Sequence, residues 1–253
     1  MTTPVQSLLF ADAREAADLA AFLGRLLHYD RAAAVRLQAD SGALAVFGRP
    51  PSFDVLAVRT ARLGHPASFD VTVSAGELLE SLAVEADEAA GADGADGPEE
   101  SGGAGERSPG VGGRGTLPAP VTGPPWSGVL PPRGPWREVP GLPDAGELAA
   151  ALAEAVAEFR ARDTALPEER RTRAERDLIG RDLWSRTVGA TGLPLRAVHA
   201  AQSLGFLRPH AGFPVTLLSA GPWLRLRTPY GAIALRPRTG AGLGNLAVSI
   251  GGH

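Results

Sequence analysis

The chain has 253 residues, 44% of them hydrophobic, and a formal net charge of −3 at pH 7. This composition is typical of a globular protein with one large or two small domains. Apart from five histidines every basic residue is arginine, and there is no cysteine. The absence of lysine excludes Schiff-base and P-loop chemistry, and the absence of cysteine excludes disulfides, thiol nucleophiles and cysteine-based metal sites.

No hydrophobic segment approaches the roughly 20 residues that a membrane span requires. The apolar stretch 7–10 is too short for a signal peptide, and no basic residues precede it. We therefore expect a soluble, cytoplasmic protein with no membrane partner.

The charge is distributed unevenly along the chain. Residues 1–140 hold 11 Arg and 18 acidic residues, whereas residues 141–253 hold 14 Arg and 10 acidic residues. After Asp182 there is neither Asp nor Glu, although seven Arg follow. This carboxylate-free part of the chain is expected to attract anions and to lack the commonest general bases.

Residues 1–85 have the pattern of a small α+β lobe. Capping boxes that begin at Asp12 and Ser74 each precede leucines at helical spacing, which predicts a helix at either end. Between the helices, alternation with a period of two predicts four strands at 34–37, 43–47, 53–59 and 69–73. The order helix, four strands, helix predicts a mainly antiparallel sheet with helices on one face.

Residues 86–140 are predicted to be a linker. Its first part mixes acidic residues with Gly, Ala and Pro and has no aromatic residue before Trp126, so it offers too little apolar surface to offset the entropy of ordering. We predict a disordered acidic segment there. From Pro124 to Trp136 two tryptophans lie in a proline-rich run, which predicts an extended strap whose indoles pack on a domain. A proline-rich ligand for a partner's groove is the alternative.

Residues 141–253 are predicted to form a second α+β lobe. A capping box at Asp144 begins an alanine-rich helix that ends near Arg162, and further helices follow Pro167 and Pro194. Alternation then predicts strands at 213–218, 223–227, 232–236 and 246–250. The predicted fold class is α+β, with two small lobes that each combine helices with a mainly antiparallel sheet and are joined by the acidic, Pro/Gly-rich segment.

One internal similarity links the two lobes. The stretch 35–46 has the same spacing of Arg, Gly and apolar residues as the stretch 224–235. Both predict a hairpin with a glycine just after the turn. Hairpins of this composition are common, so we interpret the similarity as convergence and not as duplication.

The segment from Thr191-Gly192-Leu193-Pro194 to Leu204-Gly205-Phe206-Leu207, with the hairpin after it, resembles the winged helix-turn-helix family. The resemblance implies DNA binding, with a recognition helix in the major groove and a wing on the phosphates. It also implies that the helix presents Arg196, His199 and Gln202, and that the wing presents Arg225, Arg227, Arg236 and Arg238.

Strand alternation gives an independent reason to consider these arginines. If the leucines and isoleucine of 224–235 face the core, Arg225, Arg227 and Arg236 lie together on the opposite face. With Arg208 and Arg238 they would form a cationic surface without competing carboxylates. We predict a non-enzymatic binding or regulatory protein whose partner is an acidic protein surface or a polyanion, its own acidic linker included.

An enzyme of unknown class is the remaining alternative. His199 and His210 have no carboxylate nearby in sequence and no metal-ligand spacing, and the other three histidines end a helix, precede a proline in a turn or are terminal, so no catalytic residue, metal site or cofactor is predicted. Catalytic carboxylates would come from earlier in the chain, such as Asp54, Asp70 or Asp182. A pocket lined by a carboxylate together with His199 or His210 would favour this alternative.

Overall fold

The structure, a computed structural model, describes residues 7–82, 113–210 and 212–237. Its strands are β1 (Ser7–Leu9), β2 (Ala34–Asp40), β3 (Ala43–Gly48), β4 (Leu56–Arg62), β5 (Phe69–Ser74), β6 (Arg114–Thr116), β7 (Arg137–Glu138), β8 (Thr216–Ala220), β9 (Trp223–Thr228) and β10 (Gly231–Leu235). Its helices are α1 (Ala13–Tyr29), α2 (75–82), α3 (Ala145–Ala165), α4 (Arg173–Ser185) and α5 (Leu195–Ser203). The predicted α+β class is confirmed.

Eight of the strands form one antiparallel sheet in the order β5-β2-β3-β4-β10-β9-β8-β7, and β1 pairs separately with β6. The sheet repeats one arrangement on both sides of its central pair, β4 and β10. Each side consists of a helix followed by a three-stranded meander: α1 with β2, β3 and β4, and α5 with β8, β9 and β10. The two predicted lobes therefore contribute the two halves of a single sheet.

Helices α1 and α5 cover one face of this sheet. The residues that α1 buries are Leu19, Phe22, Leu23 and Leu26, as the helical spacing predicts. The ring of Phe22 stacks on Phe206, which follows α5, with 5.5 Å between the ring centroids. The buried residues of both halves belong to one continuous core on this face.

Arg59 joins the two halves inside that core. It lies on β4 with only 7% of its surface exposed. Its Nη2 donates to Asp18 Oδ2 of α1 at 2.9 Å, and its Nη1 donates to the carbonyl of Tyr230, between β9 and β10, at 2.6 Å. A buried guanidinium requires such partners, because an unpaired charge in the core is costly.

A strap formed by residues 117–138 crosses the other face of the sheet. Trp126 and Leu130 pack on an apolar patch of the central strands, and Trp136 packs beside them; the patch consists of Phe47, Leu56, Val58, Trp223, Ala232 and Ala234. The predicted packing of both indoles is thus confirmed.

The base of the strap is fixed by Arg36 on β2. Its Nε and Nη2 each donate to one carboxylate oxygen of Asp70 at 2.7 Å, and its Nη1 donates to the carbonyl of Ser127. Residues 113–140, predicted as linker, thus belong to the folded unit, because two tryptophans supply the apolar surface that the acidic part lacks. The acidic part, 83–112, lies outside the described residues.

Most predicted helix starts are confirmed and some boundaries are corrected. Asp12 and Asp144 accept hydrogen bonds from the backbone at the starts of α1 and α3. The helix predicted after Pro167 begins later, because a 3-10 turn intervenes and Thr172 caps α4. Strand β4 begins at Leu56 and not at 53, since Asp54 has a positive φ of 50° that an extended strand does not permit. The strand predicted at 246–250 lies outside the described residues.

Candidate anion-binding site

The structure divides the predicted binding residues between the two faces of the sheet. The strap face carries Arg225, Arg227 and Arg236, as strand alternation predicted. The helix-covered face carries the α5 residues Arg196, His199 and Gln202, and Arg208 follows that helix. Arg238 lies outside the described residues.

Helix α5 does not have the geometry of a recognition helix. Five of its nine residues are buried, and it packs against α3, α4 and β10. Of the three residues assigned to its reading face, only Gln202 is exposed, while Arg196 and His199 are half-buried. The hairpin of β9 and β10 lies inside the sheet and does not project as a wing. The apolar positions of α5 cover more of its circumference than those of a helix with one exposed face, so these features do not fit the predicted recognition helix and wing.

The arginines of the strap face lie on β9 and at the end of β10. Arg225 pairs across the sheet with Ala234, and Arg227 pairs with Ala232, so both side chains emerge where the strap covers small residues. Two residues along a strand are about 7 Å apart, which brings the two guanidinium groups close on one face.

Arg225 is held against the strap by Trp136. Its guanidinium carbon lies 4.2 Å from the centre of the Trp136 ring, and the indole N–H of Trp136 donates to the carbonyl of Pro132 at 3.1 Å. The Nε of Arg225 is buried and has no hydrogen bond to any described residue. The pKa of Arg225 is lowered from its ordinary value, first by burial and second by the nearby charge of Arg227.

Most other arginines with a shifted pKa have a carboxylate partner. Arg36, Arg62 and Arg186 pair with Asp70, Glu15 and Glu158, and these partners raise their pKa values. Within the described ranges, neither Arg225 nor Arg227 forms an ion pair. Glu138, the carboxylate on the neighbouring edge strand β7, is separated from β9 by β8. The two like charges therefore repel each other, and an anion placed between them would stabilise both.

Two further arginines stack on aromatic rings. The guanidinium of Arg236 lies 4.7 Å from the ring centre of Trp223, and that of Arg208 lies 3.8 Å from the ring centre of Tyr230. A stacked guanidinium keeps its N–H groups in the plane of the group and available to a carboxylate or phosphate. Arg236 is exposed next to the Arg225 and Arg227 pair and extends the cationic surface.

Sequence reasoning found the arginines of this site but missed its aromatic component. Trp136 was assigned to the strap alone, because nothing in the sequence relates residue 136 to residue 225. The only signal of an aromatic component in the sequence was Trp223, in the run Trp-Leu-Arg-Leu-Arg. Alternation places its side chain on the same face of the sheet as that of Arg225.

The carboxylates considered for catalysis lie in three different places. Asp70 is engaged by Arg36 under the strap, and Asp182 pairs with Arg162 and Arg186 on the outside of the helices. Asp54 lines a cleft on the helix side together with His199, which is the arrangement that the enzyme alternative predicts. No three His, Asp or Glu side chains of the described residues cluster closely enough to hold a metal ion.

Two family models match the chain. Residues 3–102 match a domain of unknown function, DUF8010, and residues 131–240 match a second one, DUF8185. No curated protein and no solved structure matches it. The two matches correspond to the two halves of the sheet, and Trp136, Arg225 and Arg227 all lie within the second. Across the described parts of the chain, no helix has the length and apolar character needed to cross a membrane.

Proposed function

We propose that this protein is a non-enzymatic, cytoplasmic binding protein that recognises an acidic protein segment through Arg225, Arg227 and Trp136. The observation that supports this most strongly is the half-buried guanidinium of Arg225, which has a like charge beside it and no carboxylate partner in the described structure. A carboxylate of a partner would pair with this guanidinium and offset the repulsion between Arg225 and Arg227.

Three features favour an acidic protein segment over nucleic acid. The cationic surface is small, whereas affinity for a duplex grows with the number of phosphates contacted. Trp and Arg are the residues enriched at the centres of protein interfaces. Helix α5, which the resemblance assigned to base reading, is largely buried.

The test is a titration with a fluorescein-labelled peptide of alternating Glu and Ala. Replacing both Arg225 and Arg227 with Ala removes two charge-assisted contacts, so we expect binding to weaken roughly tenfold or more at low salt. The control is the Arg14→Ala, Arg31→Ala double variant, which loses the same charge from exposed positions outside the site. Equal weakening in both double variants would show that only net charge matters and would contradict the proposal.

Two further arms identify the source of the anion. A 20-base-pair duplex that bound more tightly than the peptide, with the same dependence on Arg225 and Arg227, would assign the surface to nucleic acid. The chain's own acidic residues are the other source. Deleting residues 87–112, which leaves β6 intact, strengthens peptide binding if those residues compete for the surface, and leaves it unchanged if the anion comes from a partner.

A further inference from the structure

A cleft of about 930 Å³ lies on the helix side of the sheet. It is formed by α4, the first turns of α5 and the connection between β3 and β4, and it is therefore on the opposite face from Arg225. Its volume is within the range of sites for small molecules in proteins. This cleft is separate from the arginine surface, and what it binds does not depend on the function proposed above.

Aromatic rings form one wall of this cleft. The imidazole of His199 lies between Phe53 and Trp184, with ring centroids 5.0 Å and 4.8 Å away. Phe159 stacks on Trp184 with 6.4 Å between centroids, and Tyr29 meets Phe53 edge-on at 5.3 Å. Only 6% of the chain is Phe, Trp or Tyr, so four such rings beside one histidine are a notable concentration.

The polar groups of this wall have no hydrogen-bond partner among the described residues. Neither the ring nitrogens of His199 nor the indole N–H of Trp184 forms a hydrogen bond with a described residue. Burial lowers the pKa of His199 from its ordinary value of 6.5. The imidazole is therefore neutral at pH 7 and offers one donor and one acceptor to a ligand.

A glycine of α4 lies against the tryptophan ring. A Cβ atom at Gly180 would lie 3.4 Å from the ring of Trp184 and 3.8 Å from that of Phe159. Glycine within a helix costs about 1 kcal/mol relative to alanine, so its presence here requires a packing or binding reason.

Most of the charged side chains that line the cleft have a partner. Asp54 accepts from Arg49 at 2.7 Å, Arg176 donates to Asp163 at 2.7 Å, and Asp177 lies 3.9 Å from Arg173. Arg196 also lines the cleft. Arg181 is exposed at its edge and, within the described ranges, forms no ion pair.

We propose that this cleft binds a planar aromatic compound that carries a carboxylate. The aromatic ring stacks on Trp184 beside His199, and the carboxylate pairs with Arg181. The stacked rings select a flat molecule, and the uncompensated arginine selects a negative charge.

Three small probes of similar size test the two parts of this recognition. 1-Naphthoate has the ring and the carboxylate, 1-naphthylmethylamine has the ring with a positive charge, and cyclohexanecarboxylate has the charge without an aromatic ring. We expect 1-naphthoate to bind with a Kd of about 1 mM or lower in an NMR titration, and each of the other two to bind at least about fivefold more weakly. Equal affinity for the naphthyl amine and the carboxylate, or no binding of 1-naphthoate, would overturn the proposal.

Variants of α4 locate the site. Arg181→Gln should weaken 1-naphthoate binding roughly fivefold or more, whereas Arg14→Gln, which removes an exposed arginine of α1 outside the cleft lining, should not change it. Gly180→Leu fills the space beside Trp184 while raising helix propensity, so it should abolish binding in a protein that remains folded. The Arg225→Ala, Arg227→Ala double variant should bind 1-naphthoate normally. Binding that survives Gly180→Leu would overturn the proposal.

Discussion

Arginine has opposite roles at two buried positions of this protein. Arg59 is almost fully buried and donates to both Asp18 and Tyr230, so its charge contributes to the contact between the halves. Arg225 is only half-buried, yet it forms no ion pair with a described residue and its pKa is lowered. Since the chain uses arginine for every long basic side chain, only the surroundings of each arginine distinguish a structural role from a binding one.

His199 makes stability depend on pH. Burial lowers its pKa in the folded state below the ordinary value of 6.5, whereas the unfolded chain has that ordinary value. Between these two pKa values the unfolded state binds more protons than the folded state, so the free energy of unfolding should fall as the pH is lowered through about 6.5. The measurement is urea unfolding at intervals between pH 8 and pH 5.

The matched variant is His199→Gln, which cannot titrate in this range. It should remove the part of the pH dependence that arises from His199. The carboxylates and arginines that line the same cleft are Asp54, Asp177, Arg176, Arg181 and Arg196. An unchanged pH profile in His199→Gln would contradict the assignment.

The strap is an element without regular secondary structure for most of its length, yet it covers the central strands. Its contacts come from a few large side chains, among which Trp126 is common to both apolar clusters of that face. Its base is fixed by a hydrogen bond from Arg36 to the carbonyl of Ser127. An element of this kind depends on individual anchors more than a helix does, because few backbone hydrogen bonds hold it.

Trp126→Ala should therefore lower the free energy of unfolding by about 2 kcal/mol, less than the 3–5 kcal/mol of a fully buried tryptophan because this side chain is only half-buried. The control is Val129→Ala in the same strap, since Val129 is 48% exposed and should change stability little. Urea unfolding measures both. Similar losses in the two variants would show that the indole is not an anchor.

At the scale of the whole molecule, the two halves complete each other. Strand β4 of the first half pairs with β10 of the second through Val58 and Ala232, and β1 pairs with β6. The two matched domain models thus divide a chain whose sheet and core are continuous. Both halves have the same order of helix and meander, in which β2 corresponds to β8, β3 to β9 and β4 to β10. The similar stretches 35–46 and 224–235 instead align β2–β3 with β9–β10. The sequence similarity therefore does not follow the structural repeat.

Neither half should fold alone. Fragments 1–97 and 98–253 would each expose one central strand and half of the core, so we expect neither to show a cooperative thermal transition. When the two fragments are mixed in equal amounts, we expect them to associate and to show a cooperative transition. The full chain cleaved after Gly97 should show the same transition. Circular dichroism during heating measures this. A cooperative transition in either separate fragment would show two independent domains.

The sequence by itself determined the local structure and the composition of the arginine surface. Capping residues fixed the starts of α1 and α3, and period-two alternation placed Arg225, Arg227 and Arg236 on one face. These signals are local: a cap acts within one turn, and alternation follows from the geometry of a single strand. They did not locate the start of α4, where a 3-10 turn competes with the helix, or the exposure of α5, which depends on what packs around it.

The tertiary structure alone decided which distant residues meet. It joined two predicted lobes into one sheet, placed Trp136 on Arg225, and put Arg196 and His199 on the opposite face from Arg225, Arg227 and Arg236. It also gathered Phe53, Trp184 and His199 around one cleft. These contacts arise because burying apolar surface brings together segments that are far apart in sequence, and no local pattern records which segments those are.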